Sequence, residues 1–276
     1  MTLNTIKAFH PELRDDDKTL ILKLDHGRAN EMGSAELSTW MELCDILETG
    51  TIRTLITTSI KTSRRGKPLF ISGANVTERQ NWSNEDVCTH VRWQRSVLQR
   101  LRKAPVFHIA LANGIALGWG TEFMLTADYR IATSLASFGL PETSLGILPG
   151  AGGCSELWME IGIAHAMRLG MTGEKIDAKE AVRIGLVQED VEDWDLGMNR
   201  ALELAKLSAL RSPTAVCAFK KALLDCRGAS SEERSELEAK AYEHCVHTGE
   251  AAIGRANFKE ILSGSKVEWG TYTKLI

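Results

Sequence analysis

The chain has 276 residues, 43% of them apolar and 25% charged, which is long enough for a sizeable core and ordinary for a folded globular chain. Its 33 basic and 36 acidic side chains leave a net charge of −3, a balance that argues against nucleic acid as the partner. No apolar run reaches the ~18 residues of a membrane span, and the first residues lack an apolar signal core, so a cytoplasmic chain with no membrane partner is expected.

"TLILKLD" (residues 19–25) reads as an apolar strand. "SAELSTWMELCDILETG" (34–50) follows, with Leu37, Trp40, Met41, Leu43, Cys44 and Leu47 at helical spacing. Ser34 is placed to cap this helix and Gly50 to end it. "TLITTSI" (54–60) is a second strand, "KTSRRGKP" a basic turn, and "LFISGAN" (69–75) a short strand running into a glycine turn. Asn84–Lys103 is a long helix stopped by Pro105. "VFHIALANG" (106–114) is a continuous apolar run, as expected of a strand covered on both faces. A glycine turn and an apolar helix follow, then the short strand "YRIAT" (129–133).

This alternation implies right-handed crossovers in a layered α/β core. From Asp177 the pattern turns mainly helical. "DAKEAVRIGLV" has a cap at Asp177 and a stop at Gly185, and Pro213 occupies a first helical turn, as proline prefers. The division expected is an α/β core over residues 1–210 and a helical region over 211–276.

The six cysteines, Cys44, Cys88, Cys154, Cys217, Cys226 and Cys245, show no C-x-x-C pair and no metal-ligand spacing. Buried free thiols are expected, and no metal site. His244 and His247, three apart on a helix, read as surface residues. His108, in an apolar strand, reads as a satisfied core histidine.

Two strand-to-helix turns are rich in glycine: "FISGAN" (70–75) and "NGIALGWG" (113–120). Each lets the backbone approach a ligand with unpaired N–H groups, and two such groups aimed at one point would make an oxyanion hole. Close packing explains either turn equally well when it is taken alone. Glu122 lies one turn into the helix after the second turn, and Glu142 follows Pro141. Two carboxylates near one point would titrate together and could hold a water between them. Each could equally be a charge favoured by a helix N-terminus. "PGAGG" (149–153) lacks both the P-loop ending and the dinucleotide-turn spacing. Arg64, Arg65 and Lys67 make a small basic cluster, either a solvated turn or a phosphate contact.

In order and spacing, "LDHGRANEMGSAEL", "LFISGAN", "NGIALGWGTEFMLTADYRIAT", "FGLPETSLGILPGAGG" and "LGMTGEKIDAKEAVRIGLVQEDV" resemble the enoyl-CoA hydratase/isomerase family, the crotonase superfamily. The resemblance spans nearly the whole chain. It implies an α/β fold, a crotonase-like spiral of ββα units with a helical C-terminal trimerisation region. It further implies a homotrimer or dimer of trimers and an acyl-CoA thioester as substrate, with no cofactor beyond the coenzyme A that the substrate carries. By the family pattern, Ala74 and Trp119 supply the two backbone N–H groups of the oxyanion hole, and Glu122 and Glu142 are the two catalytic carboxylates. Substrate and coenzyme A contacts are expected from Arg28, Ala29, Ser72, Gly73, Asn75, Gly118 and Gly120, with Arg64, Arg65 and Lys67 near the phosphates or adenosine.

Double-bond isomerases of the family commonly lack the first carboxylate, so its presence here favours hydration of a 2-enoyl-CoA, or the reverse dehydration. The alternatives are isomerisation, hydrolysis or C–C cleavage of an unusual acyl group, and, from another class, a non-catalytic assembly that binds acyl-CoA or RNA. Two positions depart from the family pattern. Asn75 stands where aspartate is common, and Trp119 stands where glycine is usual, which implies a reshaped acyl pocket.

Overall fold

A computed structural model describes residues 3–15 and 18–275. Its larger sheet runs in the order β1 (Pro11–Arg14), β2 (Thr19–Leu24), β3 (Thr54–Ser59), β5 (Phe107–Ala112), β7 (Tyr129–Thr133), β10 (Glu189–Val191). Only the β1–β2 pair is antiparallel. The smaller sheet runs β4 (Leu69–Ile71), β6 (Ile115–Leu117), β8 (Ser137–Gly139), β9 (Ile176–Asp177), with only β9 antiparallel.

Three consecutive pairs, β3–β4, β5–β6 and β7–β8, each step from the larger sheet to the smaller. After β4 the chain returns through α2 (Asn84–Lys103), and after β6 through the short α3 (Trp119–Met124). The result is the expected spiral of ββα units. Side-chain alternation explains why the larger sheet is covered on both faces. Ile21, Ile56, Ile109, Leu111 and Ile131 face α7 (Trp194–Ala209) through Met198, Ala201 and Ala205. Leu20, Leu22, Leu55, Ala110 and Ala112 face the main core, where α1 (Ser34–Glu48) contributes Leu37, Trp40 and Leu43.

Several elements lie outside the sequence reading: β1, the 3-10 segment Leu3–Phe9, and the short strands β6, β8, β9 and β10. β6 sits inside the stretch read as a turn. Asn113, between β5 and β6, donates from Nδ2 to Ser59 O at 2.7 Å, which pins the crossing between sheets. At α1, Ser34 is not the cap. It is the first helical residue, and its N–H and hydroxyl both donate to Glu78, so the helix is capped by a carboxylate 44 residues away. The expectation of buried cysteines holds only for Cys44. Cys88 and Cys154 are exposed and the other three half-buried, because they fall on outward helix faces or in a loop; all six are free thiols. His108 is fully buried, with Nε2 at 3.0 Å from the Thr57 hydroxyl, and burial pushes its pKa down to about 3.

Beyond α4 (Leu157–Ile161), α5 (Ile163–Thr172) and α6 (Ala178–Arg183), the C-terminal helices are α8 (Pro213–Asp225), α9 (Ser231–His247), α10 (Glu250–Ala256) and α11 (Phe258–Leu262). α8 is tied to the core by Lys220, whose Nζ meets Val106 O at 3.0 Å and the Asp128 carboxylate at 2.8 Å. The chain end folds back over it, with Thr273 N donating to the Thr214 hydroxyl and Trp269 Nε1 to Leu210 O. No helix among the described residues is long and apolar enough to cross a membrane.

Candidate active site

β4, β6 and β8 are neighbours and parallel, so their C-terminal ends share one edge. β4 leads into residues 72–75, β6 into Gly118 and α3, and β8 into Pro141 and Glu142. Parallel pairing thus gathers three segments that lie far apart in sequence. Gly120 is required at this edge, since a Cβ there would collide with the Ile71 carbonyl oxygen at the end of β4. A Cβ on Gly73 would stand 3.5 Å from Leu117 O, so the two glycine turns lie against each other.

The hydrogen bonds that hold the first turn are Ser72 N to Ala29 O (3.2 Å), Met32 N to Gly73 O (3.0 Å) and Asn75 N to Met32 O (2.8 Å). They use the peptide groups on either side of Ala74, whose own N–H faces away from Met32 in this parallel bridge. Trp119 is the first residue of α3, so its N–H has no acceptor within the helix. These are the two N–H groups expected of an oxyanion hole, and both stand at the same edge.

Glu122 is buried, only 2% exposed. Its Oε1 accepts from Ala151 N at 2.7 Å and Gly153 N at 2.8 Å. Burial pushes its pKa up, and the N–H groups of Gly153, Ala151 and Gly152 oppose that shift. The 149–153 loop is therefore an anion cradle after all, but its anion is a side chain of the protein. Nothing local in "PGAGG" names Glu122 as its occupant.

Glu142 lies in the 3-10 turn Pro141–Leu145. Burial pushes its pKa up to about 7, and the charge of Glu122 adds to the shift. Its Oε2 is buried without a hydrogen-bond partner. The charge of Glu122 is thus felt at Glu142.

The family model described as enoyl-CoA hydratase/isomerase matches residues 21–269. The chain belongs to the enoyl-CoA hydratase/isomerase family. It is 33% identical over 235 residues to the mitochondrial enoyl-CoA hydratase domain-containing protein 2 of Mus musculus, covering 84% of this chain and 78% of that protein. It is 36% identical over 183 residues to a short-chain-enoyl-CoA hydratase of Clostridium acetobutylicum, covering 66% and 70%. The crystal structure of an enoyl-CoA hydratase from Bacillus anthracis superposes with a TM-score of 0.84 at 32% identity, covering 94% of this chain and 98% of that one. Membership implies coenzyme A thioester chemistry and an acyl-CoA substrate.

Of the expected substrate and coenzyme A residues, Ser72, Gly73, Asn75, Gly118 and Gly120 lie in the two glycine turns and the others in two connected loops. Arg28 and Ala29 follow β2, and Arg64, Arg65 and Lys67 sit in the turn between β3 and β4. β2 and β3 are parallel neighbours, and Lys61 joins the loops through a 2.9 Å ion pair to Asp25. Arg28, Arg64, Arg65 and Lys67 are exposed and form no ion pair among the described residues. The Ala29–Ser72 hydrogen bond brings the first loop to the glycine turn.

Trp119 does not project into solvent. It is 2% exposed and stacks on Phe123 at 5.6 Å, so its ring joins the main core while its backbone stays at the edge. α2 presents His90 and Gln94, both buried, next to Val91 and Arg95; Arg95 Nε donates to Gly150 O at 3.0 Å.

Proposed function

We propose that this protein hydrates a 2-enoyl-CoA to a 3-hydroxyacyl-CoA and catalyses the reverse dehydration. The observation that carries the reading is that Glu122 and Glu142 stand within electrostatic reach of each other at the edge where the Ala74 and Trp119 N–H groups lie.

In this reading the thioester oxygen accepts hydrogen bonds from Ala74 N–H and Trp119 N–H, which draws electron density from Cβ. A water between the carboxylates attacks Cβ and gives its proton to Glu122. Oε1 of Glu122 is held by Ala151 and Gly153, which leaves Oε2 to take that proton. The charge collects on the thioester oxygen, where removal of one donor typically costs about 10²–10³ in rate. Glu142, whose raised pKa keeps a proton available near neutrality, delivers it to Cα. Proton exchange with solvent restores Glu122 as carboxylate and Glu142 as acid. The basic residues Arg28, Arg64, Arg65 and Lys67 hold the phosphates or adenosine of coenzyme A.

The test is loss of the conjugated-thioester absorbance with crotonyl-CoA and with branched, aromatic and carboxylate-bearing enoyl-CoAs. Hydration should fall about 10²–10⁴-fold in Glu122→Gln and in Glu142→Gln. Equal rates in Glu122→Gln and the wild type would remove the reading.

We also propose that the C-terminal helices assemble a homotrimer or a dimer of trimers. Phe219, Tyr242, Phe258 and Leu262 are each at least 60% exposed on them, and exposed apolar side chains that lie together mark an interaction surface. Light scattering should give a mass of about 91 kDa, three times 30.4 kDa, or twice that.

A further inference from the structure

The loop that cradles Glu122 is itself held by charge. Five side chains from four segments meet behind it. Arg102 comes from the last turn of α2, Arg130 from β7, Glu156 and Glu160 from the start and body of α4, and Arg227 from just past α8. Arg102 pairs with Glu156, and Arg227 with both Glu156, at 3.1 Å, and Glu160. Arg130 Nη2 completes the set on Glu160 at 2.7 Å. The Arg102 side chain is 10% exposed and that of Arg130 5%, so salt and solvent screen these pairs little.

Stability alone does not account for such a cluster. Taking three guanidiniums and two carboxylates out of water is expensive, and apolar side chains of the same volume would join these segments as firmly. What the charges add is direction, because the planar guanidinium fork fixes where its carboxylate points.

That direction reaches Glu122 through one peptide group. Glu156 N donates to Gly152 O at 2.8 Å, and Leu157 N to the same oxygen at 3.3 Å. A Cβ on Gly152 would stand 3.8 Å from both Arg102 Nη2 and Glu156 Cγ, so the ion pair lies against the Gly152 backbone. The same stretch turns the N–H groups of Ala151, Gly152 and Gly153 toward Glu122. α2 holds this loop at a second point. Arg95, two turns before Arg102 on the same helix face, donates from Nε to Gly150 O at 3.0 Å.

We propose that Arg102 is a positioning residue for Glu122: by fixing Glu156 it holds the Gly152 peptide group, and with it the N–H groups that cradle the carboxylate. Arg227 acts on Glu156 from the end of α8, which ties the C-terminal helices to the same cradle. The role in catalysis rests on Glu122 being the base of the proposed reaction, but the effect on Glu122 can be read without turnover.

The cradle N–H groups favour the ionised carboxylate, so loosening them raises the pH at which Glu122 titrates. The other groups that face Glu122 are Arg95 of α2, Glu142 of the 3-10 turn and the Cys154 thiol after the loop. Substitution of Arg102 or Glu156 leaves all three in place.

The experiment is an NMR titration of the full chain, isotopically labelled at the glutamate side-chain carboxyls, with Glu122→Gln to assign the Glu122 signal. Arg102→Met and Glu156→Gln should each move the Glu122 midpoint upward by about 0.5 in pH or more, as expected when hydrogen bonds to a carboxylate weaken. Direct charge effects cannot give that pair of results. Removing a positive charge raises a carboxylate's midpoint and removing a negative one lowers it, so Coulomb interaction alone sets the two variants in opposite directions. Arg102→Lys, which keeps the charge without the fork, should give a smaller upward move. Opposite directions, or an unmoved midpoint in either Arg102→Met or Glu156→Gln, overturn the assignment even if both variants lose stability. If Arg102→Met does not fold, Glu156→Gln and Arg102→Lys decide, and both must move upward. Crotonyl-CoA hydration, assayed in parallel, keeps the two ideas apart. Upward moves in a protein that hydrates no enoyl-CoA remove the proposed step alone, and hydration by the wild type with unmoved midpoints in the variants removes the positioning role alone. Where both hold, kcat should fall about tenfold or more in Arg102→Met while KM stays within about twofold, since the cradle acts on the base and not on coenzyme A.

Discussion

Gly118 and Glu142 are in contact across the site: a Cβ on Gly118 would come within 2.5 Å of Glu142 Oε1. Gly118 also has φ +53 and ψ −121, in the half of φ space that side chains disfavour. One glycine therefore sets both the entry to α3 and the room for the second carboxylate. Gly118→Ala should displace Glu142 and cost about 1–2 kcal/mol of stability from the backbone. Hydration should fall by about 10² or more, since misplacing a reacting group by 1 Å is worth that much. Steady-state kinetics and urea unfolding check the two parts separately, and an unchanged kcat would contradict the contact.

The pH profile follows from Glu142. Hydration needs its protonated form and dehydration its ionised form, so kcat/KM for hydration should fall as pH rises through about 7, while that for dehydration rises. The same shift is a stability statement. The folded pKa lies above the ordinary glutamate value of 4.5, so its contribution is fully present below about 4.5 and is lost as pH rises through about 7. Glu142→Gln should therefore have a urea midpoint that depends less on pH between about 5 and 8 than the wild type. Identical pH dependence in the two proteins would count against the raised pKa.

Charge at the coenzyme A loops is open to a salt experiment. Replacing Arg64, Arg65 and Lys67 with glutamine should weaken coenzyme A binding by about tenfold at low ionic strength, and the difference should shrink in ~0.5 M salt, where screening acts within a few ångströms. The loss should appear in KM more than in kcat, as it removes binding common to ground and transition states. Affinity that ignores both salt and charge removal would sink the assignment.

Phe123 joins the site to the core. It packs against Trp40 at 4.9 Å, Phe70 at 6.0 Å, His108 at 5.8 Å and the Trp119 ring at 5.6 Å. Phe123→Ala should cost about 3–5 kcal/mol by denaturant unfolding, the range for a large buried aromatic. Trp119 would lose its stacking partner, and intrinsic tryptophan fluorescence should report the change. A cost under about 1 kcal/mol would mean the site collapses onto the cavity.

Local pattern alone located much of this molecule. The apolar run at β5, the bounds of α2 before Pro105, the Asp177 cap of α6 and the two glycine turns all follow from periodicity and backbone preference, which act within a few residues. Motif order along the chain, through the family resemblance, also put forward Glu122, Glu142, Ala74 and Trp119 as candidates. The tertiary structure alone decided how these pieces meet. Three strands as short as β4, β6 and β8 carry little signal of their own, and β6 was hidden inside a turn. Yet their parallel pairing is what brings Ala74, Trp119 and Glu142 to one edge. The cradle that Ala151 and Gly153 make for Glu122 and the cap that Glu78 makes for α1 are likewise invisible in sequence. Each depends on peptide groups or side chains brought together across tens of residues, and hydrogen-bond satisfaction of that kind is settled by chain topology rather than by any local stretch.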